Sequence, residues 1–222
     1  MKTSISGFTM VGLLLAFFGA TAVLMVFNQF VPGQLTNTNV IIRELSVFAV
    51  AGLLIWIIYA GEKLDVSSIG LHNRHWGKSL LLSLILVVLS FVVTVICLLI
   101  FKAVGISFGQ GGGARYDNIS PLVMTLIMLR AGVVEEICYR GYLMERLEKI
   151  SSNWLVFFLL PSLVFGLLHY KQGIGGVIIA FALGLLISYA YWKKRDLKAN
   201  IIAHFIVDFV PNVLLPLIGG GE

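Results

Sequence analysis

Leu122-Val-Met-Thr-Leu-Ile-Met-Leu-Arg130-Ala-Gly-Val-Val-Glu135-Glu136-Ile-Cys-Tyr-Arg140 reads as a membrane helix that carries two adjacent carboxylates with an arginine on each side. An ionised carboxylate in hydrocarbon costs from about 3 to more than 10 kcal/mol, so intramembrane charge is the first clue to function. The surrounding chain decides that this is membrane. Of its 222 residues, 59% are apolar and 12% charged, with a mean hydropathy of +0.97. Soluble domains carry about 25% charged residues. The composition therefore predicts an all-α, polytopic transmembrane helix bundle, organised as a single membrane domain over residues 1–222.

A span needs about 20 apolar residues at 1.5 Å rise each. Seven stretches qualify: 8–30, 40–60, 79–101, 120–141, 154–170, 174–192 and 200–218. An eighth arises if the junction at Gly173, Gly175 and Gly176 makes a broken or re-entrant helix, and Pro161 is placed to kink the fifth span. The first stretch has signal-peptide features in Lys2 and Ala20-Thr21-Ala22, but its apolar run continues to Phe30, so a retained span is expected.

The net charge of +5 raises nucleic acid as a partner, yet the basic residues sit mostly between apolar segments, where membrane orientation explains them. With a cytosolic N-terminus, that side receives ten: Lys2, Lys63, Arg74, Lys78, Arg146, Lys149, Lys193, Lys194, Arg195 and Lys198. The opposite side receives four, Arg43, Lys102, Arg115 and Lys171, and an odd number of spans then puts Glu222 outside. The segment 141–150 looks like a cytosolic extension of the fourth helix, and Ser151-Ser152-Asn153 like a turn and N-cap for the fifth. Phe108-Gly-Gln-Gly-Gly-Gly-Ala-Arg115 lacks the Lys-Ser/Thr ending of a phosphate loop and reads as an outer loop. Trp76, Trp154 and Trp192 read as interface anchors.

Spacing organises the remaining ionisable groups. Residues i and i+4 share a helix face. Glu136 and Arg140 are such a pair, as are Phe165 and His169, and His204 and Asp208. Glu135 and Glu136 lie about 100° apart around a helix, so one can face a cavity while the other pairs with Arg140. Glu135 lies 17 residues before Ser152 and His169 17 after it, so an antiparallel hairpin brings them to one height. His204 lies only six residues past Lys198 and fits that height if the fourth helix projects beyond Tyr142. A carboxylate in an apolar cavity beside a histidine can activate a water, and a second histidine with an acidic partner can steady an oxyanion. The same set is also a plausible group of zinc ligands.

These residues resemble the motifs of the CAAX-protease and bacteriocin-processing family of intramembrane proteases, the CPBP or ABI family. Glu-Glu-x-x-x-Arg reads Glu135-Glu136-Ile-Cys-Tyr-Arg140, Phe-x-x-x-His reads Phe165-Gly-Leu-Leu-His169, and His-x-x-x-Asn/Asp reads His204-Phe-Ile-Val-Asp208. The resemblance covers about residues 120–210, a catalytic core, and leaves the first three spans without a motif. It implies an intramembrane endopeptidase with Glu135 as general base, His169 as its partner on the water, and His204 with Asp208 as the oxyanion-stabilising pair. Glu136 and Arg140 would give support, as would the motif's Phe165; Tyr139, at i+4 from Glu135, shares its face and is expected to line the cavity. Where the family has Asn, Asp208 would orient His204 and keep it charged rather than donate. A metal-free glutamate mechanism is favoured over a zinc enzyme, in which Glu135, His169 and His204 would be the ligands. The implied partners are the lipid bilayer and a membrane-associated peptide or protein, either a CaaX-type tail or a bacteriocin or leader-type peptide.

Other readings stand beside these. Glu136 with Arg140 is most simply a structural ion pair, and His204 with Asp208 would equally serve as a clamp between helices. His169 alone reads as a histidine donating to a backbone carbonyl. Arg130 neutralises a carboxylate or reaches a polar cavity. Nothing in the sequence lowers the pKa of Cys138, which argues against a thiol protease. Cys97 and Cys138 both lie in apolar segments, so a disulfide is not expected. A non-catalytic membrane scaffold or immunity protein, and a small transporter using Glu135 and Asp208 as a proton relay, are the alternatives from other classes.

Overall fold

The computed structural model describes residues 6–72, 76–106, 116 and 118–219. The glycine-rich stretch 108–115, Lys2, Arg74 and Glu222 lie outside them. Seven helical stretches occupy the seven expected regions: α1 (Gly7–Phe30), α2 (Asn37–Gly61), α3 (Trp76–Val104), α4 (121–150), α5 (Leu155–Leu167), α6 (Tyr170–Lys194) and α7 (Leu197–Gly219). No strand occurs among the described residues. Four of the seven helices start at a polar cap whose side chain accepts from the first turn. Ser6 accepts from Thr9 N, Thr36 from Asn39 N, Ser120 from Val123 N and Asp196 from Ala199 N.

Five of the helices, α1, α2, α3, α6 and α7, are long and apolar enough to cross a membrane. The expectation of seven equal spans is too simple. Arg130, Glu135 and Glu136 interrupt the apolar part of α4. The 13 residues of α5 reach about 20 Å, short of a hydrocarbon core of about 30 Å. The α5–α6 junction is a sharp corner, with a 3₁₀ turn at Tyr170–Gln172 and Gly173 at φ 75°, and α6 continues from it without a break. Pro161 lies in the first turn of the α-helical segment Leu160–Leu167, just past a π-helical turn at Leu155–Leu159, a position where a missing N–H is tolerated.

The reason α4 can hold charge is its position. Every residue from Ile137 to Met144 is buried, so this part of the helix is enclosed by protein on all sides. By contrast α3 buries one stripe, Ser79, Ser83, Leu86, Val87 and Ser90, and turns large apolar side chains outward. Small serines on that stripe allow close approach to α6 and α7.

Polar knots tie one end of the bundle. Thr9 of α1, Tyr142 and Arg146 of α4 converge on Glu62 at the end of α2, at 2.9, 2.8 and 2.6 Å. Arg146 also donates to the carbonyl and hydroxyl of Ser68, both at 3.1 Å. Arg195, in the α6–α7 turn, pairs with Glu145 at 2.6 Å and with Glu148. Ser79 of α3 donates to Asp196 at 2.6 Å. These contacts gather Lys63, Lys78, Arg146, Lys149, Lys193, Lys194, Arg195 and Lys198 at this same end. Arg43 needs correction. It is not a loop charge on the far side but lies inside α2, 3% exposed, next to Glu44 at 0%.

Candidate active site

The antiparallel register of α4 and α7 builds the centre of the site. Arg195 meets Glu145, and nine residues further along each helix His204 meets Glu136, Nδ1 to Oε1 at 2.8 Å. His204 therefore reaches the level of the acidic pair because the tail of α4 runs as far as the turn before α7. Gly132 keeps the two helices close. A Cβ there would stand 3.0 Å from Phe205 N and 3.1 Å from Ile201 O, both backbone atoms of α7.

The two neighbouring glutamates part company. Glu136 is fully buried and takes Arg140 Nη1 at 2.6 Å in addition to His204. Asn200 Nδ2 adds a longer contact of 3.5 Å to its second oxygen. Arg140 is held in turn by Ser188 Oγ and Gly184 O, each at 3.2 Å, and its guanidinium lies 4.7 Å over the Phe165 ring. Glu135 instead looks into a cavity of about 320 Å³, shared with Tyr139, Arg130, Arg43 and His169. Its Oε1 accepts from Arg130 Nη1 at 2.8 Å, and its Oε2 stands 3.9 Å from His204 Nε2.

The Arg130–Glu135 contact spans five residues. In an α-helix these positions lie about 140° apart and cannot meet. Here Ala131–Glu135 is wound as a π-helix, whose i→i+5 bonding stacks them. A second π-helical run, Ile137–Met144, follows. Nothing in the residue pattern announced either, and both adjoin the acidic pair.

His169 closes the end of α5. Its Nδ1 lies 2.8 Å from the Phe165 carbonyl oxygen and donates to it, which leaves the Nε2 lone pair to face outward from that bond. His169 lines the Glu135 cavity and also a second one, of about 430 Å³, between α5, α6 and α7. His204 and Asp208 line that second cavity, and Asp208 Oδ2 is 3.4 Å from His204 Nε2. The Glu135 side and the His204–Asp208 side of the site thus meet at His169. Phe165 sits between them, with ring centroids 4.8 Å from His169, 5.9 Å from His204 and 5.4 Å from Tyr139.

As a metal centre the set fits poorly. Both His204 nitrogens already face carboxylate oxygens, and among the described residues no three His, Cys, Asp or Glu side chains are grouped to hold an ion. Cys138 is buried in the hydrophobic core.

Arg43 and Glu44 are the residues that sequence reasoning missed. Glu44 Oε1 accepts from Arg43 Nε at 2.6 Å and its Oε2 from Arg130 Nε at 2.5 Å, while Arg43 Nη1 donates to Tyr116 at 2.9 Å. The signal was available. Two adjacent charges inside the apolar stretch 40–60 carry the same meaning as two inside 120–141.

The bundle, with five helices long and apolar enough to cross a membrane around its cluster of acids and imidazoles, is that of an integral membrane protein. Residues 117–210 match the family model described as Rce1-like, type II CAAX prenyl endopeptidase Rce1-like. That is the CPBP family, and the matched segment contains all three of the motifs that carried the resemblance. No curated protein and no solved structure matches the chain.

Proposed function

We propose that the protein is an intramembrane endopeptidase that hydrolyses a peptide bond of a membrane-associated protein or peptide through a water activated by Glu135. The observation that carries this reading is the division of the acidic pair. Glu136 is consumed by Arg140 and His204, whereas Glu135 keeps one oxygen, Oε2, toward the cavity and 3.9 Å from His204 Nε2. A water held by Glu135 and the His169 Nε2 lone pair would give a proton to the carboxylate as its oxygen adds to the scissile carbonyl. The resulting oxyanion would be met by His204. Glu136 and Asp208 flank both nitrogens of that ring, an arrangement that suits a donor on each, and the 3.4 Å contact to Asp208 is long enough to yield Nε2–H to a stronger acceptor. Collapse of the intermediate would pass the proton from Glu135 to the leaving amine. No step calls for a metal.

In this reading α4 and α5 are embedded in the bundle within the membrane, the basic end faces the cytosol, and the N-terminus lies on that side. The substrate is a CaaX-type tail or a leader-type peptide.

The test is cleavage of prenylated and unprenylated membrane peptides by the protein in liposomes. Glu135→Gln and His169→Ala should each lower kcat by at least about 100-fold, the scale of a lost general base or its partner. Cleavage that survives both substitutions would reject the assignment.

A further inference from the structure

Two arginines and two glutamates form one charge-balanced chain that runs from α2 into the site, buried except at its Glu135 end: Arg43, Glu44, Arg130, Glu135. Arg43 is 3% exposed, Glu44 0% and Arg130 7%. Each oxygen of Glu44 has its own arginine, Arg43 on Oε1 and Arg130 Nε on Oε2 at 2.5 Å. Arg130 then presents Nη1 to one oxygen of Glu135, at 2.8 Å. We infer that Glu44 is a positioning residue for the proposed peptidase, acting through Arg130 to keep Oε2 of Glu135 free for the water.

The reasoning is geometric. An arginine side chain holds about 2 kcal/mol of rotamer entropy and has five N–H donors in a planar fork. Left to itself beside a carboxylate, such a fork takes both oxygens in parallel. Here its Nε edge is already bound to Glu44, from a different helix, so only one arm reaches Glu135, and it reaches Oε1. The remaining oxygen is the one directed toward His204. Without the charge on Glu44, Arg130 would keep Glu135 as its one carboxylate partner among the described residues, with Arg43 lining the same cavity. Arg130 would turn its second arm onto Oε2, occupying the position that the water needs.

This inference rests on Glu135 acting as the base, and the experiment separates the two. Steady-state cleavage by liposome-reconstituted protein would be measured for Glu44→Gln, Arg130→Gln, the double variant and Glu135→Gln, each normalised to folded protein by size exclusion and melting. Glu44→Gln should lower kcat about 10- to 100-fold, as loss of residues that orient a reacting group commonly does, with KM changed less than about 3-fold. Added to Arg130→Gln it should lower kcat no further, because it acts through that arginine. Wild-type kcat in folded Glu44→Gln, or losses that multiply in the double variant, would overturn the inference even where Glu135→Gln is dead. Activity retained by Glu135→Gln would instead remove the reading on which it rests. Should Glu44→Gln fail to fold, Glu44→Asp and Arg130→Lys complete the same cycle with the charges kept. Shortening both is then expected to cost no more than Arg130→Lys alone.

Discussion

Arg140 neutralises a carboxylate that has no access to water. Glu136 is 0% exposed, and Arg140 also satisfies Ser188, the Gly184 carbonyl and the face of Phe165. Removing one member of such a buried pair typically costs about 3–5 kcal/mol, since the other charge is left stranded. Arg140→Met should therefore lower the melting temperature in detergent sharply. Glu136→Gln added to it should restore part of the loss, because the stranded charge is then gone. A pair that only decorated the helix would give small, additive shifts. The effect on His204 is separate: with Glu136 replaced by neutral Gln, the ring loses the charged acceptor that faces Nδ1 at 2.8 Å, and cleavage should stay low even where stability recovers. The sequence separated the roles of Glu135 and Glu136 by their angle, by the i+4 spacing of Glu136 to Arg140 and by the motif they resemble. What it left out was Glu44, because one charged dipeptide was read as function and the other as a span boundary.

At the scale of elements, the α4–α7 approach governs the site. The backbone of α7 stands 3.0–3.1 Å from where a side chain at Gly132 would begin, and backbone cannot swing aside as a side-chain tip can. Gly132→Val should push α7 outward and carry His204 away from Glu136, with a stability cost of about 1–3 kcal/mol and at least a 10-fold loss of cleavage at unchanged helix content by circular dichroism. Gly52 supplies the control. A Cβ there meets nothing within 4 Å, so Gly52→Ala should leave activity intact. Helix positions were legible in the apolar runs, since length and hydropathy mark where helices lie. The π-helical winding of α4 was not. It depends on which partners surround a helix, and Arg130 meets Glu135 only because of it.

For the whole molecule, the knot around Glu62 gives an acid-sensitive latch among α1, α2, α4 and the turn at Val66–Ile69. Burial pushes the Glu62 carboxyl up, but hydrogen bonds and the charge of Arg146, with Tyr142 and Thr9, outweigh it and hold the group below its ordinary value of 4.5. A carboxylate with a lowered folded-state pKa stabilises above its unfolded pKa, and that contribution fades as pH falls through the folded value. The difference in melting temperature between wild type and Glu62→Gln should thus be full at pH 6–7. It should shrink progressively below pH 4.5. A difference that stays constant across this range would mean that the carboxylate's charge contributes nothing.

The amino-acid sequence by itself determined the class of fold and the cast of the candidate site. Apolar runs of about 20 residues can be satisfied only by helices in a bilayer, and ionisable groups there are too costly to be incidental. Three short motifs then placed Glu135, His169 and His204 in one segment. Tertiary structure decided how those groups are shared out. The burial of the Ile137–Met144 part of α4, the register that sets Arg195 on Glu145 and His204 on Glu136, and the reach of Glu44 across from α2 all depend on contacts between residues far apart in the chain, 50 to 86 positions for the three ion pairs. No local pattern encodes which oxygen of a carboxylate remains unclaimed; that follows only when helices distant in the chain have packed and each donor has found its nearest acceptor.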